Sequence, residues 1–288
     1  MEEYIDVDYK NILLQIKKLD SHLQYAACTK FLDLVRPHFC KYNISDNRLF
    51  YRVRAHLEGK GKYFFTNISE LTYRSDFFNI IKFGRCNCPY ESIFYCSDSS
   101  LLSLMEVSEM YRKESRKDVL YHTLSIWKSN GPLNIAPIFE ANSPFNCNQR
   151  LAGITLKCLE LIDQFGNYNK KEQLKELHSI IGQEFISPFS FDNNIYHFSS
   201  AVAGYLLNER TGRSEKIDGL VYPTCIGYDN IQNIGLNYAF DPTIVGFEKK
   251  IEFIGAYRSK MEKKENTYYE TERIKFKKAN RYTGEIRW

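Results

Sequence analysis

From Tyr9 to about His38, apolar residues recur at the three- and four-residue spacing of a helix: Ile12, Leu13, Ile16, Leu19 and Leu23. Such spacing turns one face to a core and the other to water, which predicts one or two amphipathic helices at the start of the chain. The pattern changes at Arg48. From there to Val107 come short aromatic and β-branched runs, LFYRVRAHL, KYFFTNI and SIFYCS, punctuated by Gly59, Gly61, Gly84 and Pro89, and these predict strands joined by turns. Residues 101–111 return to helical spacing, with the segment from Ser97 to Ser100 placed to cap the start. Residues 151–165 and 171–185 then predict a helical hairpin about Gly166 and Asn167, and Ser199 or Ser200 is placed to cap a helix through Leu207. After the polar stretch NERTGRSEK, the runs IDGLVYPTCIG, GLNYAFDPTIV and KKIEFIGAYRSK predict three strands separated by glycines.

The chain has 288 residues, 43% of them hydrophobic and 26% charged, enough to bury a large core as one big domain or two small ones. No window reaches the ~18 consecutive apolar residues of a spanning helix, so we expect no membrane partner. Eight scattered cysteines and an acidic, polar opening, MEEYIDVDYK, lead to the expectation of reduced thiols and a cytoplasmic location. The net charge of +4 is uneven, since residues 249–288 hold 12 basic and 6 acidic residues. Interleaved aromatics (Tyr257, Tyr268, Tyr269, Phe276, Tyr282 and Trp288) would suit a nucleic-acid surface, but acids mixed among the bases favour a solvated strand pair that closes the fold.

Candidate chemistry concentrates in KFGRCNCPYESIFYCSDSSLLSLMEVS, residues 82–108. Arg85 beside Gly84 has the planar fork that binds phosphate or carboxylate, although an arginine in a turn is often only a surface residue. Glu106 lies among Leu101, Leu102, Met105 and Val107, at the edge of an apolar face, where a carboxylate needs either an ion-pair partner or a chemical role. Tyr95 ends a predicted strand, the usual place for a half-buried ring with a bonded hydroxyl. Cys86, Cys88 and Cys96 have C-x-C and C-x7-C spacings with no histidine nearby, unlike the paired C-x2-C or C-x4-C of zinc sites, so no metal is expected. No phosphate-binding G-x4-G-K-[ST] loop is present.

In order, YRVR (Tyr51 to Arg54), GRCN (Gly84 to Asn87), IFYCSD (Ile93 to Asp98), LLSLMEV, DGLVYPTCIG and GLNYAFDP resemble the RES-domain family, across Leu49 to about Val245. The resemblance implies an α+β fold similar to ADP-ribosyltransferases, a mixed β core around a cleft that takes NAD as substrate. Family members are toxins paired with an antitoxin, and they consume NAD by hydrolysis, by phosphorolysis or by transfer of ADP-ribose to a protein. By that resemblance Arg52 and Arg85 would contact the NAD phosphates, Tyr95 would stack near the nicotinamide, Glu106 would be the catalytic carboxylate and Asn237 would line the cleft. Thr224 stands where the family pattern has serine; its hydroxyl keeps the hydrogen-bonding capacity and adds a methyl group.

The expected organisation is a helical preamble over 1–47, a catalytic domain over 48–247 with a helical insertion at about 110–215, and basic strands over 248–288 that close the fold. The expected function is cleavage of the nicotinamide-ribose bond of NAD by an NAD glycohydrolase or phosphorylase. The alternatives are a protein ADP-ribosyltransferase and an inactive module that binds NAD or nucleic acid. Expected partners are NAD, phosphate or a protein acceptor, and an antitoxin or inhibitor protein.

Overall fold

A computed structural model describes residues 7–56, 65–106, 119–141, 149–164, 168–187, 196–207, 216–224, 235–243, 247–264, 267–280 and 282–288. In chain order the first half holds α1 (Tyr9–Lys17), α2 (Ser21–Val35), β1 (Tyr42–Ile44), β2 (Leu49–Ala55), β3 (Phe94–Ser97), α3 (100–106), β4 (Val119–Ser129) and β5 (Leu133–Pro137). The second half holds α4 (Gln149–Asp163), α5 (Tyr168–Ile186), α6 (His197–Leu207), β6 (Gly219–Tyr222), β7 (Asn237–Phe240), α7 (Phe247–Lys250), β8 (Ile251–Lys264), β9 (Thr267–Lys275), β10 (Lys278–Ala279) and β11 (Ile286–Arg287). Parallel and antiparallel pairing both occur, and the fold is α+β.

The chain forms two compact units that interleave along the sequence. One comprises the described parts of Met1–Tyr42, Phe78–Glu91 and Asn134–Asn233, the other those of Asn43–Phe77, Ser92–Leu133 and Ile234–Trp288.

The first unit is mainly helical. Tyr9, Leu13 and Ile16 of α1 are buried, as are Cys28, Phe31 and Leu32 of α2, where Phe31 meets Tyr9 edge-on at 6.0 Å and Phe198 of α6 at 6.2 Å. The expected stripe is only half realised, because Ile12, Leu19 and Leu23 remain exposed while Tyr9 and Phe31 fill the interior. Gln24 is buried and fully used: its amide donates to the Leu19 carbonyl at 2.9 Å, and its Oε1 accepts from His197 Nδ1 at 2.9 Å. Gly182 of α5 lies so close to residues 139–140 that a Cβ there would stand 2.5 Å from the Phe139 carbonyl carbon. Beneath these helices β5 and β6 pair in parallel, Ile135 opposite Gly219 and Pro137 opposite Val221. Every residue of β6 is buried, as expected of a strand covered on both faces.

The second unit is an antiparallel sheet in the order β7-β3-β2-β4-β8-β9. Its spine is β4, paired with β2 from Leu49 opposite Lys128 to Ala55 opposite His122, and with β8 along its whole length. A bulge at Ile126/Trp127 accommodates Gly255, over which the Phe276 ring sits so closely that a Cβ would come within 2.9 Å of it.

Three expectations are corrected. The span assigned to a helical insertion opens with strands, β4 and β5, because VLYHTLSIWKS buries both of its faces and so loses the alternation that marks a half-exposed strand. The described part of KYFFTNI is no strand beyond a single bridge at Asn67. Instead Asn67 Oδ1 accepts from Ser69 N and Glu70 Oε2 accepts from Asn67 N, each at 2.9 Å, a capping box that opens a 3-10 turn over Ile68–Glu70. Ser199 and Ser200 do not cap α6. They lie within its first turn and donate back to the Tyr196 carbonyl at 3.3 and 2.7 Å. The Gly166-Asn167 turn and NERTGRSE lie outside the described residues.

His178 of α5 is buried, stacked on Phe139 at 4.9 Å, and its Nε2–H donates to the His38 carbonyl at 2.9 Å. Burial pulls its imidazole down to about 4. Because the folded pKa lies below the unfolded value near 6.5, the unfolded chain binds the proton more readily in between. The contribution of His178 to stability is therefore complete above about pH 6.5 and falls by about 3 kcal/mol as the pH drops to 4. Chemical denaturation across this window is expected to show the loss, and His178→Leu to reduce its steepness.

Candidate functional site

Glu106 owes its position to how α3 begins. Ser99 caps the helix: its Oγ accepts from Leu102 N at 3.3 Å and its carbonyl accepts from Ser103 N at 3.1 Å. Ser97 Oγ lies 2.6 Å from the Ser99 carbonyl and 2.9 Å from Ser103 Oγ, which in turn lies 2.8 Å from the Tyr51 carbonyl. Two hydroxyl protons are shared among these three contacts, two of which are hydrogen bonds at any one time, and the first turn of α3 is tied to β2 and β3. Residues three apart share a helix face, so Glu106 projects from the side that Ser103 anchors. There it meets Asn237 of β7, whose Nδ2 donates to Glu106 Oε1 at 2.8 Å across 131 residues of sequence.

Asn237 is placed by Asp98, whose side chain is 1% exposed. One carboxylate oxygen pairs with Arg48 Nη2 at 2.6 Å; the other accepts from Leu236 N at 2.8 Å, while Asp98 N donates to the Leu236 carbonyl at 3.1 Å. This close approach requires Gly235. Its φ is +146°, and a Cβ there would stand 2.6 Å from Ser99 Cβ and 2.8 Å from Asp98 Oδ1. The phenol of Tyr238 beside this pair is pushed up by burial and by Asp98, so it stays protonated next to Arg48.

Arg52 has the opposite electrostatic situation. Its half-buried side chain leans on the Phe94 ring, with Cζ 5.4 Å from the centroid, and Nη1 donates to the Tyr95 carbonyl at 2.6 Å. Its Nε is shut off from solvent without a hydrogen-bond partner, and no carboxylate among the described residues pairs with the group. Burial and the neighbouring Arg54 pull its pKa down to about 10. Tyr95 is thus in reach through its backbone. β2 and β3 share only the pair Tyr51–Ser97, and the Arg52 guanidinium bridges where they part. By register Tyr51, Tyr95, Ser97 and Asn237 share one face of the sheet, while the Arg52 Cβ lies on the other face with Phe50 and Phe94.

Arg85 and Thr224 belong to the helical unit. GRCN is a tight turn closed by Gly84 N donating to the Asn87 carbonyl at 2.9 Å. Arg85 Nη2 donates to the Ser187 carbonyl at 3.0 Å, and its Cζ stands 5.4 Å from the Tyr196 centroid. Thr224 follows β6 and Pro223 and is half-buried. Within the sheet unit, then, Glu106 and Asn237 are in contact and Arg52 reaches the backbone of Tyr95. Arg48, Ser103 and Asp98, which hold that arrangement, were not singled out from the sequence; the trace they leave there is an Asp followed by serines at a helix start. No group of three or more His, Cys, Asp or Glu suited to a metal occurs among the described residues. No helix among them is long and apolar enough to cross a membrane.

No protein-family model matches the chain, and no characterised protein matches its sequence.

Removing Asp98 breaks a largely buried ion pair and leaves the Leu236 amide without its acceptor. Asp98→Ala is expected to cost about 3 kcal/mol in urea denaturation, and Asp98→Asn, which keeps an acceptor, less than half of that.

Proposed function

We propose that the protein consumes NAD by cleaving the bond between nicotinamide and ribose, with water or phosphate as the acceptor. One observation carries the reading: Asn237 holds the Glu106 carboxylate at 2.8 Å, so two segments that the RES-domain resemblance selects, LLSLMEV and GLNYAF, meet in space. The half-buried Arg52, with its Nε unpartnered and no carboxylate beside it among the described residues, supports the same reading because an anionic ligand would complete its coordination. NAD supplies such an anion in its diphosphate.

In this reading the C–N bond breaks with its electron pair passing to the nicotinamide nitrogen, so the cationic pyridinium leaves as a neutral molecule. The ribose is left with oxocarbenium character. A carboxylate held against that ring is worth most in the transition state, where the charge develops, and Asn237 keeps Glu106 in place at little reorganisation cost. An oxygen of water, which releases a proton to solvent, or of phosphate then bonds to the anomeric carbon. Arg52, which starts on the other face and reaches the opening between β2 and β3 at the Tyr95 carbonyl, would hold the diphosphate there, and Tyr95, on the Asn237 face, offers an aromatic face to the pyridinium.

The test is nicotinamide release from NAD, with and without phosphate. Glu106→Gln, which can still accept from Asn237, is expected to lower turnover at least a hundredfold while leaving NAD affinity within a few-fold. Arg52→Met is expected to raise KM. Full turnover in the Glu106 variant, or no release by the folded wild type, would overturn the proposal.

A further inference from the structure

The chain carries 39 basic and 35 acidic residues. Its last 14 residues, KFKKANRYTGEIRW, hold five of the former and one of the latter, which leaves 34 of each elsewhere. The whole net charge of the protein therefore resides in the segment that ends β9 and forms the β10–β11 hairpin. The segment is firmly held. Ile286 N donates to the Thr66 carbonyl at 2.7 Å, Ile68 N to the Gly284 carbonyl at 2.9 Å, Asn67 Nδ2 to the Thr283 carbonyl at 2.9 Å and Trp288 Nε1 to the Phe65 carbonyl at 2.8 Å. Gly284, with φ of +71°, is required there because a Cβ would stand 2.8 Å from Asn67 Oδ1. Ile286 is buried, and Phe276 packs on Gly255.

What this anchored hairpin displays is unfavourable by itself. Lys278 and Arg287 are directly opposite each other across the two strands, an arrangement in which like charges repel. Lys275, Lys277, Lys278 and Arg287 are all exposed, and none of them has a salt-bridge partner among the described residues. On the adjoining β8–β9 strands two cations are paired, Lys260 with Glu262 and Arg273 with Glu270, each at 2.5 Å. The single acid of the segment, Glu285, has no cation partner among the described residues. In the turn of the hairpin Tyr282 is 99% exposed.

We propose that the β10–β11 hairpin is a docking surface for single-stranded nucleic acid. Phosphates offset the opposed cations, and an unstacked base lies on the Tyr282 ring. Unpaired bases are what a lone exposed aromatic ring can stack with, so the tyrosine selects a single strand over a duplex. The proposal departs from the expectation of a solvated strand pair that closes the fold. The inference is independent of the NAD chemistry, because none of the groups proposed for that site lies in the hairpin.

The experiment titrates the full chain into fluorescent 20-nucleotide single-stranded RNA and DNA at 50 and 200 mM salt. Duplexes of the same sequence and vesicles containing anionic phosphatidylserine serve as the other arms. Single strands are expected to bind best and to lose at least tenfold in affinity over that salt range. Lys277→Glu with Lys278→Glu should weaken binding at least tenfold and flatten the salt dependence. Tyr282→Ala should weaken it several-fold with the salt slope unchanged, a separation of roles that a general polycation does not show. All three side chains are exposed, and unchanged thermal unfolding would confirm that the variants fold. No binding at 50 mM salt, equal affinity for duplex or vesicles, or indifference to both variants would overturn the proposal.

Discussion

The arrangement of the sheet unit depends on a carboxylate almost entirely removed from water. Asp98 uses both oxygens, one on the Arg48 guanidinium and one on the Leu236 amide. An ion with so little solvent contact is tolerated only when its hydrogen-bonding positions are occupied, so the pair fixes geometry more than it adds net stability. The geometry it fixes is the entry of β7. With Leu236 pinned and Gly235 allowing the chain to pass against Ser99, Asn237 arrives where α3 presents Glu106. The serines at the start of α3 set the helix from the other side. Two turns of local structure, 131 residues apart, thereby determine a single side-chain contact.

Elements with a strong period were legible in the sequence: the helices α4 and α5, the short aromatic strands β2 and β3, and the glycine-bounded strands β6, β7 and β8. What escaped was structure whose signal is not periodic. β4 buries both faces, so VLYHTLSIWKS shows no alternation, and its pairing with β2 and β8 is a long-range fact that no local window contains. Asn67 to Glu70 was written plainly as N-x-x-E, but the apolar KYFF before it suggested a strand, and local capping won over β propensity. Ser199 and Ser200 carry the residue types of a cap, yet their hydroxyls bond backward because the apolar face of α6 already begins at His197. The interleaving of the two units was illegible because each is assembled from three separated segments, with no linker to mark them.

The candidate site was legible in a different way. Periodicity and composition left Glu106 as either a paired boundary residue or a functional one, and Asn237 was flagged only by family resemblance. Their contact, at 2.8 Å, comes from the register of β3 with β7, where Ser97 opposite Asn237 puts both on the face that α3 covers. The supporting residues Arg48, Asp98 and Ser103 had no signature of their own. A buried ion pair and a hydroxyl chain are recognised by what surrounds them, and that information is distributed over the whole unit.

Arginines and lysines occur in two contrasting settings on the same sheet unit, and the physics of each points to a different ligand. Arg52 lacks a carboxylate in a place where water is scarce; burial already lowers its pKa to about 10, so an anion that reaches it gains from a weakly screened interaction. Lys275, Lys277, Lys278 and Arg287 have no carboxylate partner among the described residues and stand in solvent, where each attraction is small and screened, and only a partner that engages several at once gains appreciably. A compact diphosphate meets the first condition and an extended polyanion the second. The two proposals do not conflict, because the strand that carries Arg52 and the hairpin that carries the lysines are held by separate hydrogen-bond systems, the β2–β4 ladder and the contacts of residues 65–68 with 283–288.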